Sequence, residues 1–476
     1  MIQGFVKYLK NRGHLVFNEM EYVRQYILGG HKKSAFIGVW KKYPKLHYFL
    51  FHHGDASAGQ ELFGESAQIF TSRKALERRF DPTKGTVFIL TYDVSRSGGP
   101  KVALDLLKRF GSDYNTVLLS FGGGAMREEF VKHATYCVTE LNSGNLLQNI
   151  RNQLDRLAGV AEPKLAILNT IGCAPALEEF ACKGIPTLHL IHDIGALSPL
   201  EWWKQSCDQA DIVIFSAEFV KRKAIERHAG FLNKTSYVIP QGVDSLEPSP
   251  SEQLPDADAI KILSRFRPEG PREECAVIYG AGTVEFRKGV DLFLQCASRV
   301  IPQFPAGRIR FVWNGSCYDP GNLRDNGYCA VLQNQIEAAR LGDSFQLLGA
   351  MKDLTPAYRS ADLFFLSSRL DPLPIVAQLA MLQGLPVICF DEAGGTPEYL
   401  KKIPDAAFGV VPYLDTNEAA EKIIRLVQDK ELRSVVGAAG RNVAREYFNN
   451  EQYLDSVQGI CQKMMGRRIQ NQPSIT

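Results

Sequence analysis

Two short stretches concentrate side chains suited to holding a phosphorylated ligand. The first, YGAGTVEFRKGVDLFLQCA (279–297), leaves an apolar run through Gly280 and Gly282 and presents Arg287-Lys288-Gly289 ahead of an amphipathic segment. Glycines let a backbone come close to a ligand, and Arg287 or Lys288 can set positive charge against phosphate oxygens. The second, ADLFFLSSRLDPLPIVAQLAMLQGLPVICFDEAGGTPEYL (361–400), runs from an apolar strand through Ser368-Arg369-Leu370-Asp371 into a helix that Pro372 and Pro374 announce. A helix start at the carboxyl edge of a sheet offers free N–H groups and a positive dipole end, which suits a diphosphate. Leu373, Pro374 and Ile375 stand at that start. A plainer reading stays open for each stretch: a solvent-facing turn with a basic pair, and one of the several strand-to-helix turns that any doubly wound fold contains.

Three other groups have a chemical and a structural reading. His192-Asp193 closes the apolar run IPTLHLIHD (185–193), and the histidine is either a packed, hydrogen-bonded residue or a cleft residue. Trp202-Trp203 can stack on a sugar ring or fill a core. Asp256-Ala257-Asp258 has the D-x-D form that holds a metal-bound nucleotide sugar in one transferase fold, but no strand leads into it, and it reads as solvated linker.

The elements that must position these residues are legible from Gly85 onward. Apolar runs, among them TVFIL (86–90), TVLLS (116–120), LAILNT (165–170), DIVIFS (211–216), AVIYG (276–280), RIRFVW (308–313), FQLLG (345–349), DLFFLS (362–367) and PVICF (386–390), alternate with amphipathic segments at 99–110, 174–183, 217–229, 289–300 and 329–340. Runs apolar on both faces are strands buried between helix layers, so the unit is β-α-β and the sheets mainly parallel. Residues 246–274, with five prolines and many acids, separate two such series. The expected architecture is two doubly wound Rossmann-like domains, 81–250 and 275–445, facing a cleft across a linker at 251–274. Residues 440–463 read as a closing helix, within a C-terminal segment 446–476. In open α/β sheets ligands sit beyond the carboxyl ends of the strands, which places a substrate in the cleft.

Composition narrows the class. The 476 residues are 45% hydrophobic and 22% charged, an ordinary globular balance, and a net charge of only +3 excludes a whole-protein electrostatic grip on nucleic acid. Nine Lys/Arg against two acids make residues 1–50 locally basic. With Phe5, Tyr8 and Leu9, this part of the 1–80 extension either meets an anionic membrane surface or packs as a helix with a solvated face. Ten cysteines without a C-x-x-C pair read as reduced thiols, and the N-terminus lacks the apolar core of a signal peptide, so the expected setting is cytoplasmic, at most peripheral at the membrane's inner face.

The chain resembles the retaining glycosyltransferases of family 4, which have the two-domain architecture called GT-B. Lys288-Gly289 match the end of that family's G-R-x-x-x-x-K-G segment. Ala380-Met381, Gly384, Pro386-Val387-Ile388, Gly394-Gly395 and Glu398 match the later E-G-F-G-x-x-x-x-E-A-M-x-x-G-x-P-V-I and G-G-x-x-E segments. Tyr358, Ala361-Asp362, Ala210-Asp211 through Ser216, and Pro240-Gln241-Gly242-Val243-Asp244 fit the same pattern, as do Gly98-Gly99 and His192-Asp193, over roughly residues 85–445. The family's Arg falls on Thr283, its first Glu on Asp371 and its second on Leu379, beside Gln378.

The resemblance implies a metal-independent enzyme without cofactor that moves a sugar from a nucleotide diphosphate donor to a glycan or lipid-linked acceptor, with retention, in cell-surface polysaccharide assembly. Lys288, Arg287 and the N–H groups of Leu373–Ile375 would meet the diphosphate, with Gly282, Gln378 and Leu379 around the donor. Asp371 would hold sugar hydroxyls and His192 would stand near the sugar, while Gly98, Gly99 and Asp193 would line the acceptor side or the cleft, the glycine pair letting the backbone approach donor or acceptor. Two rivals are a catalytically silent nucleotide-sugar-binding or scaffolding subunit and a nucleotide-sugar epimerase of the same fold.

Overall fold

The computed structural model describes residues 76–142, 144–244, 266, 275–316, 323–351 and 353–470. The basic extension up to residue 75, nearly all of the Pro-rich seam and the Asp256-Ala257-Asp258 sequence lie outside the described residues. Two parallel sheets organise the chain from residue 86 onward. The first has seven strands, β1 (Thr86–Thr91), β2 (Asn115–Ser120), β3 (Tyr136–Val138), β4 (Pro163–Asn169), β5 (Thr187–Ile191), β6 (Ile212–Phe215) and β7 (Ser236–Val238), in the order β3-β2-β1-β4-β5-β6-β7. The second has six, β8 (Ala276–Ala281), β9 (Ile309–Asn314), β10 (Phe345–Leu347), β11 (Leu363–Leu366), β12 (Val387–Phe390) and β13 (Val410–Val411), in the order β10-β9-β8-β11-β12-β13. This is the GT-B fold.

Both sheets reverse their winding beside their first strand, between β1 and β4 and between β8 and β11. At such switch points the loops diverge and leave a crevice at the carboxyl ends. The registers Thr91↔Asn169 and Phe364↔Tyr279 fix which residues meet there. The central strands are buried on both faces: all six residues of β1 and of β2 are buried, as their Val, Leu, Ile and Phe content requires. In the second sheet, Phe293 packs against Phe311, Trp313, Phe345 and Phe365. Gly280 belongs to this core. A Cβ there would lie 2.5 Å from the Trp313 ring, so this glycine admits a tryptophan and not a ligand.

Several matched residues bind the two halves together. Glu398 accepts hydrogen bonds from Glu218 N (3.0 Å) and Phe219 N (2.9 Å), capping a first-domain helix (Glu218–Arg227) that lacks a side-chain cap of its own. Gly395 lies against Ala217, where a Cβ would come within 2.5 Å of the alanine methyl. Gln241 donates to Leu373 O (2.7 Å), Gln378 donates to Gln241 O (3.2 Å), and Arg222 pairs with Glu392.

The expected single closing helix at 440–463 is two helices, Lys430–Tyr447 and Asn450–Gln470. The Phe448 carbonyl accepts from Val243 N (3.0 Å), and the Asn449 side chain accepts from Gln452 N (3.0 Å), so one helix ends where the other is capped. The last helix then returns to the first domain, with Tyr453, Leu454, Val457, Ile460 and Cys461 in the same apolar cluster as Val102, Leu106 and Ile89. Among the described residues no helix is long and apolar enough to cross a membrane.

Replacing Glu398 by Ala strips two N–H groups of their carboxylate. A loss of about 1–2 kcal/mol is expected, read as a lower urea midpoint at unchanged slope. An unshifted midpoint would show that the cap contributes nothing to holding the halves together.

Candidate functional site

The crevice is a cleft of about 730 Å³ walled by loops from both sheets. Gly98, Gly99, His192 and Asp193 line one wall, and Gly282, Arg287, Lys288, Asp371, Leu373, Pro374 and Ile375 line the other. Each comes after the carboxyl end of a strand: β1 for the glycine pair, β5 for His192-Asp193, β8 for Gly282 to Lys288 and β11 for Asp371 to Ile375.

The second wall is built on one buried carboxylate. Asp371 Oδ2 pairs with Lys288 Nζ and accepts from Ser368 Oγ (3.1 Å), while Oδ1 pairs with Arg287 Nη1 at 2.9 Å. Arg287 also reaches Glu285 Oε1 (2.5 Å) and donates to Leu370 O (3.1 Å). Burial alone would raise the Asp371 pKa, yet Lys288 and Arg287 outweigh it and hold the carboxylate below its ordinary value. Two acids and two bases make the cluster formally neutral. An anion entering here competes with Asp371 for both cations. The loop that carries Asp371 is itself fixed, because Asp371 N donates to Ala393 O (2.8 Å) and Gly395 N to Pro372 O (2.7 Å).

Pro374 takes the cap position of the helix Ile375–Leu382, with backbone φ −71° and ψ 126°. The Tyr358 hydroxyl donates to Val376 O (2.9 Å) and fixes this first turn. Gly282 has φ +143°, a conformation open to glycine, and lies against the Lys288 side chain. Thr283 also lines the cleft.

Gln378 and Leu379, expected around the donor, do not line it. Gln378 is fully buried and gives its amide to Gln241 O, and Leu379 packs half-buried against the large apolar cluster. One residue is about 100° around a helix, so only Ile375 and Val376 of this segment turn toward the cleft.

On the first wall Asn169 does what no motif revealed. Fully buried at the end of β4, it donates from Nδ2 to Gly99 O (2.7 Å), which leaves Oδ1 to accept from His192 Nε2 (3.1 Å). His192 therefore carries its proton on Nε2, and Nδ1 is its acceptor nitrogen. Burial pushes the imidazole down to about 4, a shift that the neighbouring Gln241 opposes, so the ring is neutral near pH 7. Asp193 accepts from Ile171 N (2.7 Å), and burial raises its pKa against that hydrogen bond and the Arg287 charge.

A backbone feature lies behind this wall. Thr170 has φ +85°, unusual for a β-branched residue, and its carbonyl accepts from His189 Nε2 (2.8 Å). Gly98 touches across the cleft, where a Cβ would stand 3.2 Å from Ile375 Cδ1. Trp202 lines the cleft, whereas Trp203 is core, edge-on to Phe231. Asn169 and Glu285 are the site residues that sequence reasoning missed, their only signal a polar side chain at the end of an apolar run or beside a charged one, whereas Gln241 and Ser368 stand inside the motif segments without a role.

Comparison with known proteins gives this arrangement relatives. Residues 264–443 match the family model described as glycosyl transferases group 1. The chain is 29% identical over 183 residues to sulfoquinovosyl transferase SQD2 of Arabidopsis thaliana, 36% of this chain and 32% of that protein. It is 28% identical over 186 residues to mannosylfructose-phosphate synthase of Agrobacterium fabrum, 39% and 38% of the two chains. The chain thus spans about a third of the length of these curated relatives. Among solved structures, Anabaena Alr3699/HepE in complex with UDP and glucose superposes with a TM-score of 0.65 over 80% of this chain and 100% of its own, at 17% identity. Sucrose-phosphate synthase from Thermosynechococcus elongatus gives 0.63 over 81% and 100%, at 18%. At such identities the likeness is one of fold.

Asp371→Asn frees Lys288 and Arg287 from their counter-charge. Inorganic pyrophosphate, titrated calorimetrically at fixed ionic strength, is then expected to bind about tenfold more tightly, a gain of about 1.4 kcal/mol. Unchanged or weaker binding would mean that the two cations do not face an entering anion.

Proposed function

We propose that this chain, whose residues 264–443 match the family model of glycosyl transferases group 1, moves a sugar from a nucleotide diphosphate donor to a glycan or lipid-linked acceptor, with retention and without a metal, in cell-surface polysaccharide assembly. The observation that carries the reading is the convergence of Lys288 and Arg287 on Asp371 at the cleft wall. The structural neighbour solved with UDP and glucose supports a nucleotide sugar as donor, and retention comes from the family resemblance.

Charge explains the catalysis. The bond from the anomeric carbon to the phosphate oxygen breaks with its electron pair passing to that oxygen. The acceptor hydroxyl oxygen forms the new bond, and its proton goes to the departing phosphate. Negative charge grows on the diphosphate, where Lys288, Arg287 and the free N–H groups at the start of the helix Ile375–Leu382 stabilise it. Asp371, released from its cations by the diphosphate, is free to accept hydrogen bonds from the donor sugar. Neutral His192, held in place by Asn169, lines the cleft without adding a charge that would oppose the cationic anomeric carbon. With two basic side chains already at the diphosphate, the reaction needs no divalent ion to neutralise it. The basic residues 1–50 would bring the enzyme to an anionic membrane surface, at the inner face where lipid-linked acceptors are built.

The test is a panel of nucleotide diphosphate sugars with EDTA present, following thermal shift and nucleotide release together. One donor is expected both to stabilise the protein and to be slowly hydrolysed. Lys288→Ala should lower that turnover by at least about a hundredfold, with far-UV circular dichroism checking that the variant remains folded. Binding without release, even with candidate acceptors, would instead favour a silent nucleotide-sugar-binding subunit, the reading that the apolar Leu379 supports.

A further inference from the structure

We propose that Cys207, Asp208 and His228 form a binding site for a zinc-class divalent cation on the first domain. One ligand atom from each lies within 4.8 Å of the others, and none of the three lines the cleft. A thiolate, an imidazole and a carboxylate are the ligand types that zinc takes, and three protein ligands leave a fourth position for water. The observed burial fits that plan. Cys207 is buried, His228 is half-buried and Asp208 is exposed, so the site is closed on its sulfur side and open to solvent on its carboxylate side.

Gly230 supplies an independent observation. A Cβ built on it would stand 2.8 Å from Cys207 Sγ and 2.8 Å from His228 Nε2. The two softest donors therefore converge over the one residue type that leaves the space between them open. The backbone favours a cation as well. Cys207 and Asp208 occupy the last turn of the helix Leu200–Gln209, where the carbonyl end of the macrodipole is negative. One feature opposes it: the Lys234 ammonium is close enough to feel the charges of Cys207 and Asp208 and is partly buried beside them. Binding would proceed by displacement, the metal taking the Cys207 sulfur lone pair as the thiol proton leaves to solvent.

An ion here would tie the end of the helix Leu200–Gln209, whose Trp202 lines the cleft, to the end of the helix Glu218–Arg227, whose start Glu398 caps. It would brace the wall that faces the donor domain without touching the reacting groups.

The full chain, stripped with a chelator and dialysed, is titrated with Zn2+ against a chromophoric competitor. In parallel it is titrated with Co2+, whose thiolate charge-transfer absorption reports a sulfur ligand. One equivalent with submicromolar affinity is expected. Cys207→Ser should remove the charge-transfer band and weaken Zn2+ by at least a hundredfold, as should His228→Gln. Gly230→Val should do the same with all three ligands present, and Lys234→Met should tighten binding. No submicromolar site in the wild-type chain would overturn the proposal, as would a site whose affinity and absorption survive in Cys207→Ser, since the ion then sits on another cysteine. If Cys207→Ser misfolds, judged by far-UV circular dichroism, Lys234→Met decides, and unaltered affinity there counts against the site.

Discussion

Asp371 is the constraint on which the arrangement of the cleft depends. A buried carboxylate must be paired or neutralised, and here it is paired twice, through separate oxygens, with Lys288 and Arg287. That sharing draws the loop after β8 to the loop after β11, across the switch point of the second sheet. It also presets two cations on the cleft wall at no cost in uncompensated charge. The same neutrality would make the site responsive under the proposed function, because an entering diphosphate would compete with Asp371 for both cations.

The opposite wall is organised around Asn169 and His192. Asn169 ties the Gly98-Gly99 loop to His192, and the histidine stays uncharged because it is buried. Two paired basic side chains on one wall face an uncharged imidazole on the other. The bridges made by Gln241, Gln378, Glu398 and Gly395 keep these walls opposed. Several residues matched through the family pattern thus act in holding the domains together.

The fold is legible in the sequence because its central strands are apolar on both faces and recur with helical segments between them. The edge strands β3, β7 and β13 are not, since two or three residues carry no period. Arg287, Lys288 and Asp371 are visible as charges at turns, but their mutual pairing spans more than eighty residues of sequence and only the sheet order brings it about. Glu398 illustrates the same limit: its partners lie 180 residues earlier, on a helix of the other domain. The family's second Glu falls on Leu379, which packs against the apolar cluster, and the adjacent Gln378 turns to Gln241. Gly280 reads as a ligand-approach glycine because a glycine that accommodates an indole ring and one that accommodates a phosphate have the same letter.

The most direct test is a structure of the chain with a nucleoside diphosphate bound. The account predicts Lys288 Nζ and the Arg287 guanidinium on phosphate oxygens, with the Asp371 carboxylate freed from at least one of them and turned to the space beyond the diphosphate. A diphosphate bound elsewhere, with both ion pairs to Asp371 unbroken, would contradict it.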